Sequence, residues 1–222
     1  MLITNNDETD DFMKNLLIIF VMLFFQMSLQ VSAQAITEGK EYQVIRAQGD
    51  KGDLVQVYEF FSYACGHCYE FQPLIESWAE SPPKGVQFNQ MPAIFNERMI
   101  PLAKLFFTLE EMQLLDSAHH QVYEAIHEKR LNLLTEKKIL NWAENNESIK
   151  FNQFEKVYQS FSVDSKIKKA TQLTRSYRIP GTPYVTVKGK YITGPSMVLR
   201  PEGGGVDVVR FVATLNTLIE KD

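Results

Sequence analysis

The sequence predicts an α/β fold in which an all-helical segment interrupts a sheet-containing body. A strand–helix–strand pattern occupies about residues 53–91, helical patterns run from about residue 96 to 177, and β-type sequence returns at residue 184. The chain has 222 residues, of which 45% are hydrophobic, so it is long enough to bury a large core. This length suits one large domain or two small ones.

The amino terminus has the pattern of a secretory signal peptide. Lys14 precedes a ten-residue apolar run at residues 16–25, and the small-residue triplets VSA and AQA follow it. A positive charge, an apolar segment and a small-residue cleavage site in this order are typical of such signals. We therefore expect residues 1–33 to form a signal peptide, with cleavage after Ala33 or Ala35.

Two alternatives remain open at this terminus. An uncleaved anchor is less favoured, because ten strongly apolar residues are too few to span a bilayer, which takes about 20. The position of the start is the second alternative. Residues 1–12 are acidic and make a poor leader, whereas Met13 followed by Lys14 would make a better one.

The charge distribution gives no support for nucleic-acid binding. The formal net charge is −4, from 23 basic and 27 acidic side chains. Four of the acidic residues and one lysine fall within the first 33 positions, so the remainder of the chain carries a net charge of −1. A nearly neutral body lacks the positive field that attracts phosphate backbones and anionic membranes.

The first predicted core element is a buried strand that begins near residue 53. Its sequence, DLVQVYEFF, is rich in Val, Tyr and Phe and contains neither glycine nor proline. A helix follows, because apolar residues recur at positions i, i+3, i+4 and i+7. These residues are Phe71, Leu74, Ile75 and Trp78. The segment VQFNQM, residues 86–91, predicts a second strand, which completes a βαβ unit with a right-handed crossover.

The middle of the chain is helical in pattern. Between residues 96 and 172 we expect five short helices and no strand, which together make an inserted subdomain. Three histidines fall within this segment, namely His119, His120 and His127. Surface or helix-packing roles suit them better than metal binding.

The end of the chain returns to β structure. Residues 184–192 alternate in polarity and turn at Lys188 and Gly189, which predicts a hairpin. An amphipathic pattern at residues 206–220 predicts a closing helix. The expected division of the mature chain is into residues 36–95, 96–172 and 173–222, in which the second part is the helical insertion and the first and third build the sheet domain.

Both cysteines of the chain lie in the segment CGHC. A structural bridge between Cys65 and Cys68 would close too short a loop to constrain the unfolded chain much, because the entropic benefit grows with loop length. A zinc site needs three or four ligands, and His67 cannot easily face one ion together with both sulfurs from the first turn of a helix. A reactive pair is therefore the favoured interpretation, with an inert bridge and a metal site as alternatives.

The position of the pair at the start of the predicted helix favours thiol chemistry. Cys65 would lie at the helix amino terminus, where free N–H groups and the positive end of the dipole stabilise a thiolate. Cys68 would lie one turn later and face inward, so that it can resolve a mixed disulfide formed at Cys65. Gly66 lets the chain turn into the helix, and His67 places partial positive charge near the Cys65 sulfur.

A CxxC pair at the head of a helix after a strand, followed by a Thr-Pro dipeptide before a later strand, resembles the thioredoxin superfamily. The long helical segment between them, together with EFFSYACGHCYEF at residues 59–71, is similar to the DsbA family of exported bacterial thiol:disulfide oxidoreductases. The likeness extends from about Gly39 to the carboxyl terminus and is strongest at residues 59–71 and 181–183. It implies a thioredoxin fold with an inserted all-helical subdomain.

The resemblance implies a role for each residue of the site. Cys65 is the attacking sulfur and Cys68 the resolving one, and the two form a redox-active disulfide. Pro183 is expected to be cis and to pack against this disulfide, although an X-Pro bond is usually trans. The backbone of Thr182, next to Gly181, would hydrogen-bond a substrate peptide in a strand-addition mode.

Glu59 matches a buried acid that assists proton transfer in this family, and a solvated carboxylate on an edge strand is the alternative.

Two departures from the family pattern bear on this site. Gly66 and His67 stand between the cysteines, where DsbA proteins commonly have Pro-His and eukaryotic disulfide isomerases have Gly-His. A basic partner for the acid would fall near Gln90, so we expect either a higher proton affinity of Glu59 or the participation of a water.

The function that the resemblance implies is that of a periplasmic dithiol oxidase. The oxidised Cys65–Cys68 pair would pass its disulfide to reduced, newly exported client proteins, and a membrane quinone reductase of the DsbB type would reoxidise it. No bound cofactor, metal or nucleic acid is expected, and the short segment before the first strand favours a monomer. A disulfide isomerase or reductase is the nearest alternative, and a metal-binding or chaperone-like module is a more distant one.

Overall fold

The structure is a computed structural model that describes residues 35–45, 52–201 and 203–221. The predicted signal peptide, its cleavage after Ala33 and the alternative start at Met13 lie outside these residues. No helix within the described ranges is both long enough and apolar enough to cross a membrane.

Five strands form one mixed sheet in the part of the chain that the structure describes. They are β1 (Gln43–Val44), β2 (Val55–Phe61), β3 (Val86–Pro92), β4 (Tyr184–Val187) and β5 (Tyr191–Thr193). Their order across the sheet is β1-β5-β4-β2-β3. β2 pairs in parallel with β3, with Glu59 opposite Gln90, and antiparallel with β4. The two strands of the predicted βαβ unit are thereby confirmed.

β2 lies between β4 and β3 in the sheet, and hydrophobic side chains cover both of its faces. Tyr58 and Phe60 pack against Tyr177, with ring centroids 6.4 and 5.9 Å apart. Val57 is buried in a separate apolar cluster on the other face, and Glu59 shares that face because side chains two apart point the same way. A strand that is covered on both sides has a nearly continuous apolar sequence, as this segment does.

Helix α1 (Gly66–Ala79) connects β2 to β3 and carries the predicted apolar stripe. Phe71, Ile75 and Trp78 are buried, whereas Pro73 lies within the helix on its exposed side. The helix therefore packs on the sheet with one face only, as its apolar periodicity predicts.

Five helices lie between β3 and β4, a stretch that the structure describes completely. They are α2 (Ile100–Glu111), α3 (Leu115–His127), α4 (Glu136–Glu144), α5 (Phe151–Tyr158) and α6 (Phe161–Ser176), preceded by a short 3-10 turn (Glu97–Met99). The predicted number of helices is confirmed. α6 continues beyond residue 172, and Tyr177 at its end contacts β2, so this helix belongs to both the insertion and the sheet domain.

Two apolar clusters form the core. The larger joins β2 to the insertion helices, and in it Phe61 contacts Phe106 of α2 with ring centroids 5.1 Å apart. The smaller holds α1 and the closing helix α7 (Val208–Glu220) against the sheet, and in it Phe71 contacts Phe211 at 5.1 Å. The insertion and the closing helix are thus attached to one sheet through separate sets of side chains.

The predicted hairpin is formed by β4 and β5. Val185 pairs with Thr193 across the two strands. Lys188 and Gly189 in the turn have φ values of 56° and 57°, a left-handed conformation that glycine adopts without steric cost. The predicted position of the turn is therefore confirmed.

Candidate active site at the head of helix α1

The two cysteines lie where β2 ends and α1 begins. Cys65 immediately precedes the helix and has extended backbone angles, φ −93° and ψ 116°. Its carbonyl oxygen accepts hydrogen bonds from the amides of Cys68 and Tyr69 at 3.1 and 3.2 Å. Cys65 is partly buried and Cys68 is fully buried, and both are free thiols. Only the first sulfur is therefore open to a dissolved partner.

The surroundings of Cys65 favour its thiolate. A hydrogen bond from the Cys68 thiol is the largest of the causes that lower the pKa of Cys65 to about 5. Partial burial opposes this shift, while the Thr182 side chain and the amides of Cys68 and His67 add to it. The Cys65 thiol donates to the carbonyl oxygen of Thr182 at 3.3 Å. That contact favours the protonated form, and the other hydrogen bonds outweigh it.

Cys68 has the opposite tendency. Its hydrogen bond to Cys65, its burial and the charge of the neighbouring thiolate all raise the pKa of Cys68. Two thiols that interact this strongly lose their protons in separate steps. The pair therefore holds one negative charge, on the outer sulfur, and keeps the inner sulfur protonated.

The two residues between the cysteines act differently from the sequence-based expectation. The side chain of His67 is exposed, and its Nδ1 lies 3.3 Å from Oε2 of Glu70, so it is the backbone amide of His67 that supports the Cys65 thiolate. At Gly66 nothing lies within 4 Å of the position of a Cβ atom, and φ is outside the left-handed region. The turn into the helix therefore does not need glycine. Both differences arise because the first turn of α1 projects from the surface.

The Gly181–Pro183 segment lies beside Cys65 just before β4. The peptide bond between Thr182 and Pro183 is cis, the isomer that the family resemblance implies. Pro183 is buried, and Gly181 is partly buried with open space around its Cβ position. A hydrogen bond over 117 positions in sequence, from Cys65 to Thr182, holds this segment against the cysteine pair.

A largely apolar groove runs from this segment along α1. Its volume is about 710 Å³, and its walls include Leu74, Pro183, Leu199 and Val208. Leu199 is 58% exposed and Val208 44% exposed. The groove places apolar surface next to the accessible sulfur, which suits an extended or unfolded polypeptide better than a small polar molecule.

Glu59 lies on β2 beneath α1 and is only 2% exposed. Because β2 is an inner strand, the alternative of a solvated carboxylate on an edge strand does not apply. Burial is the largest cause that raises the pKa of Glu59 to about 7. Gln90 donates to Oε2 of Glu59 at 3.1 Å, which acts against this rise, and the charge of Glu76 adds to it. The neutral amide of Gln90 thus occupies the position at which the family pattern would place a basic partner for Glu59.

The sequence predicted a surface or helix-packing role for His119 and did not place His119 or Tyr63 at this site. His119 is 4% exposed, with Nε2 at 3.3 Å from Nε2 of Gln90 and Nδ1 at 2.7 Å from Oη of Tyr63. Burial lowers the pKa of His119 to about 4, so the ring is neutral at physiological pH. His119 precedes Val122 and Tyr123 by three and four positions, and this spacing could have indicated that it lies on the inner face of α3.

The other two histidines contact residues far from them in sequence. His120 Nδ1 lies 3.1 Å from Oε1 of Gln72, and Nε2 of His127 lies 2.8 Å from the carbonyl oxygen of Tyr63. The helix-packing roles predicted for them describe these contacts. In the described ranges, no three His, Cys, Asp or Glu side chains are grouped so that they could hold a metal ion.

Comparison with known proteins agrees with this geometry. A family model for a DSBA-like thioredoxin domain matches residues 74–199. The thiol:disulfide interchange protein DsbA of Bordetella parapertussis is 36% identical over 160 residues, which cover 72% of this chain and 76% of that protein. The protein of the same name from Pseudomonas aeruginosa is 33% identical over 183 residues, which cover 81% and 86%.

Solved structures of DsbA proteins share the fold of this chain. The crystal structure of Pseudomonas aeruginosa DsbA matches with a TM-score of 0.75 and 31% identity, over 85% of this chain and 95% of that one. The oxidoreductase NmDsbA1 from Neisseria meningitidis has a TM-score of 0.73 at 22% identity, over 85% and 94%, and shares the fold. The protein is thus a thiol:disulfide oxidoreductase with a thioredoxin-like fold and a helical insertion. The chain belongs to the DsbA family.

Proposed function

We propose that this protein is a periplasmic oxidase that donates a Cys65–Cys68 disulfide to reduced, newly exported proteins. The observation that carries the proposal is the contrast between the two sulfurs. Cys65 is accessible and has a pKa of about 5, whereas Cys68 is buried and has a raised pKa. An accessible, stable thiolate is both the sulfur that clients reach and a good leaving group.

The exchange proceeds in two steps with balanced electrons. A client thiolate attacks Sγ of Cys65, the bond between the two cysteines breaks, and its electron pair passes to Sγ of Cys68, which takes up a proton. A second client thiolate then attacks the client sulfur of the mixed disulfide and expels Cys65 as a thiolate. The client loses two electrons and two thiol protons, of which one balances the proton on Cys68 and the other enters the solvent.

The stability of the Cys65 thiolate sets the direction of this exchange. Groups that stabilise the reduced form of a disulfide pair make its oxidised form a stronger oxidant. The hydrogen bonds that lower the pKa of Cys65 act only in the reduced protein. They therefore favour transfer of the disulfide to a client over the reverse reaction.

Glu59 is proposed to supply the proton that Cys68 needs. A thiolate in this buried position is unfavourable, and a carboxyl group with a pKa of about 7 is partly protonated at neutral pH. Matching the pKa of a proton donor to the working pH favours transfer. Among the residues that the structure describes, the hydrogen-bond donor to Glu59 is the neutral amide of Gln90. This supports the role, because a neighbouring cation would keep Glu59 ionised.

Gly181, Thr182 and Pro183 are proposed to bind the client. An extended client segment would pair with the backbone at Thr182, as in strand addition, while its apolar side chains occupy the groove beside Pro183. A site of this kind recognises backbone and general hydrophobicity, so it accepts many sequences. Such breadth suits an oxidase that acts on unfolded chains.

The cellular setting is also part of the proposal. The apolar run near the amino terminus and the family relationship support export to the periplasm, followed by reoxidation by a membrane quinone reductase of the DsbB type. We further propose that the protein acts as a monomer without bound cofactor or metal, and that residues 96–172 form an insertion between the two parts of the thioredoxin-like domain at 36–95 and 173–222.

The proposal is tested by oxidative refolding of a reduced client protein with the wild type and with Cys65→Ser. We expect the variant to lose all activity above the uncatalysed rate, because no disulfide can form at residue 65. Ser162→Ala, on the distant helix α6, is the matched control and should keep full activity. Retention of activity by Cys65→Ser would refute the proposal.

A second function, that of a disulfide isomerase or reductase, is favoured by the Gly66–His67 dipeptide. The two alternatives differ in the reduction potential of the cysteine pair, which is measured by equilibration with glutathione. We expect an oxidising value, well above that of thioredoxin at about −270 mV. A value near that of thioredoxin would instead support a reductase.

A further inference from the structure

A chain of four polar groups runs beneath the active site from Glu59 to Tyr63. Nε2 of Gln90 lies 3.1 Å from Oε2 of Glu59 and 3.3 Å from Nε2 of His119. Nδ1 of His119 lies 2.7 Å from Oη of Tyr63. Glu59, His119 and Tyr63 are at most 4% exposed, so each depends on these partners for its hydrogen bonds.

The chemistry of the groups determines which atom donates in each contact. A primary amide nitrogen carries two hydrogens and accepts none, so Gln90 donates both to the Glu59 carboxylate and to Nε2 of His119. Nε2 therefore has no hydrogen, and the neutral ring carries its hydrogen on Nδ1. Nδ1 in turn donates to Oη of Tyr63. This arrangement suits Glu59 in its ionised state.

Protonation of Glu59 calls for the reverse arrangement. The new O–H of Glu59 needs an acceptor, and rotation of the Gln90 amide by half a turn places Oε1 where Nε2 was. Oε1 can then accept from Glu59 and also from a hydrogen on Nε2 of His119. In that tautomer Nδ1 of His119 accepts from the Tyr63 hydroxyl. The three contacts of the chain are kept in both arrangements. In the change, one proton from solvent binds Glu59 and one binds Nε2 of His119, while the proton on Nδ1 is released to solvent, so the chain holds one additional proton.

We propose that Gln90 and His119 are positioning residues for Glu59, and that the tautomer of His119 follows the protonation of Glu59 through rotation of the Gln90 amide. The inference rests on the proposed role of Glu59 as proton donor to Cys68. It explains how a buried carboxyl group can both hold and release a proton without a cationic partner. A fixed lysine would favour only the ionised state, whereas an amide that donates or accepts serves both.

The surroundings support a neutral network. The ring of His119 is enclosed by Phe61, Tyr63, Phe106 and Tyr123, with centroids 5.1 to 5.8 Å away, which disfavours an imidazolium ion. Solvent can reach the chain at Gln90, its second member, because a pocket of about 500 Å³ beside β3 is lined by Gln90 and Phe106. This pocket offers a route by which protons reach the network.

Other titratable groups near the network influence it through their charges. Glu76 of α1 acts on Glu59 and Tyr63 through its charge, and His120 of α3 acts on His119 in the same way. Burial is the largest cause that raises the pKa of Tyr123 of α3 well above its ordinary value, and the charges of Glu59, Tyr63 and both cysteines add to it. Gln90 is thus the group that hydrogen-bonds both Glu59 and His119.

The test is nuclear magnetic resonance of the histidine ring nitrogens in the full protein, with the signals of His119 assigned by their loss in His119→Phe. The shifts of the two ring nitrogens report the tautomer directly. At a pH roughly two units above the pKa of Glu59 we expect the hydrogen on Nδ1, and roughly two units below we expect it on Nε2. A ring that keeps one tautomer across this range, or that becomes an imidazolium ion with Glu59, would overturn the proposal.

Two variants test whether the Gln90 amide couples Glu59 to His119 or whether pH acts on the His119 tautomer directly. In Gln90→Met, which has a similar volume and no polar hydrogens, the change of tautomer should be lost and the pKa of Glu59 should rise by about one unit. In Glu59→Gln the tautomer should not depend on pH over the same range. A tautomer change that survives in Gln90→Met contradicts the role of the amide. No client or redox turnover is involved, so the outcome is independent of whether the oxidase proposal succeeds.

Discussion

The outer and the inner parts of the active site treat negative charge in opposite ways. The outer part, consisting of Cys65 and the Gly181–Pro183 segment, surrounds a partly exposed sulfur with hydrogen-bond donors that stabilise its anion. The inner part consists of Cys68, Glu59, Gln90 and His119, which are buried except for the partly buried Gln90. The hydrogen bond to Cys65 and burial raise the pKa of Cys68, and burial is the largest cause that raises the pKa of Glu59. Cys65 of the outer part and Cys68 of the inner part are one helical turn apart.

This difference indicates that the exchange reaction uses two environments, one that stabilises a thiolate and one that disfavours it. When a client attacks Cys65, the negative charge is passed to a buried sulfur where it is unfavourable. A proton must follow it, and the inner part holds a carboxyl group that is half protonated near neutral pH. When Cys65 later leaves, its charge stays in the outer part, where it is stable.

The largest effect is expected from Cys68→Ala, which removes the hydrogen bond that links the two parts. The pKa of Cys65 should rise by about one unit or more, because the Cys68 thiol is the largest cause of its low value. The measurement is the ultraviolet absorbance of the thiolate against pH, with the double variant Cys65→Ala, Cys68→Ala as the control that shows no thiolate titration. An unchanged pKa would mean that the outer part stabilises the anion by itself.

The same variant should form mixed disulfides that persist. Its Cys65 thiolate can attack a disulfide of a client and expel one client thiolate, but without Cys68 no thiol of the variant can attack Cys65 and release the client. We expect client proteins linked to the variant to accumulate in cells and to be released by a reducing agent. The lack of such adducts would contradict the roles given to the two sulfurs.

The second effect concerns the inner part and the dependence of stability on pH. Because the pKa of Glu59 is raised from 4.5 to about 7, its protonated form is favoured in the folded state. Stability is therefore complete below pH 4.5 and falls as the pH rises through about 7. Glu59→Gln should abolish this loss, so that the variant exceeds the wild type by about 3 kcal/mol above that range and by little below it.

Urea unfolding of both proteins at several pH values measures this difference. The oxidised proteins should be used, because neither thiol titrates in a disulfide and Cys65 then makes no contribution. Equal stability curves at every pH would show that Glu59 has an ordinary pKa and that the inner part does not disfavour charge.

The smallest effect is expected from Gly66→Pro in the outer part. Proline is favoured at the first position of a helix, and the extended angles of Cys65 suit a residue that precedes proline. Nothing lies within 4 Å of the added Cβ atom. The variant should be more stable by about 0.4–1 kcal/mol, through a less flexible unfolded chain. A lower melting temperature than that of the wild type would show that the first turn needs glycine.

Much of the fold followed from local patterns. The βαβ unit, the five insertion helices and the hairpin at Lys188 and Gly189 were predicted from runs of apolar residues, and the structure confirms them. The end of α6 was less predictable. Tyr177, which follows its last turn, contacts Tyr58 and Phe60 of β2, residues more than a hundred positions away in sequence.

The active site, like the fold, has features that the sequence predicted and features that it did not. The cysteine pair could be placed from sequence because a helix amino terminus is a local feature that acts on residues of its own first turn. The side chain of His67 could not be oriented in this way, because its orientation depends on the exposure of that turn and on Glu70. His119 was expected in a surface or helix-packing role, and only the assembled structure brings it to Gln90 and Tyr63.

The CGHC segment was therefore sufficient to indicate a reactive thiol pair. The class of fold was indicated by that segment together with the long helical middle of the chain and the Thr-Pro dipeptide before a later strand. The network that sets proton affinities around the pair required the folded chain. Its contacts join residues 31, 56 and 117 positions apart, and the burial that raises the pKa of Glu59 is produced by helices packed on a sheet. Hydrogen bonds to a helix terminus are local in sequence, whereas removal of water from a carboxyl group requires tertiary packing.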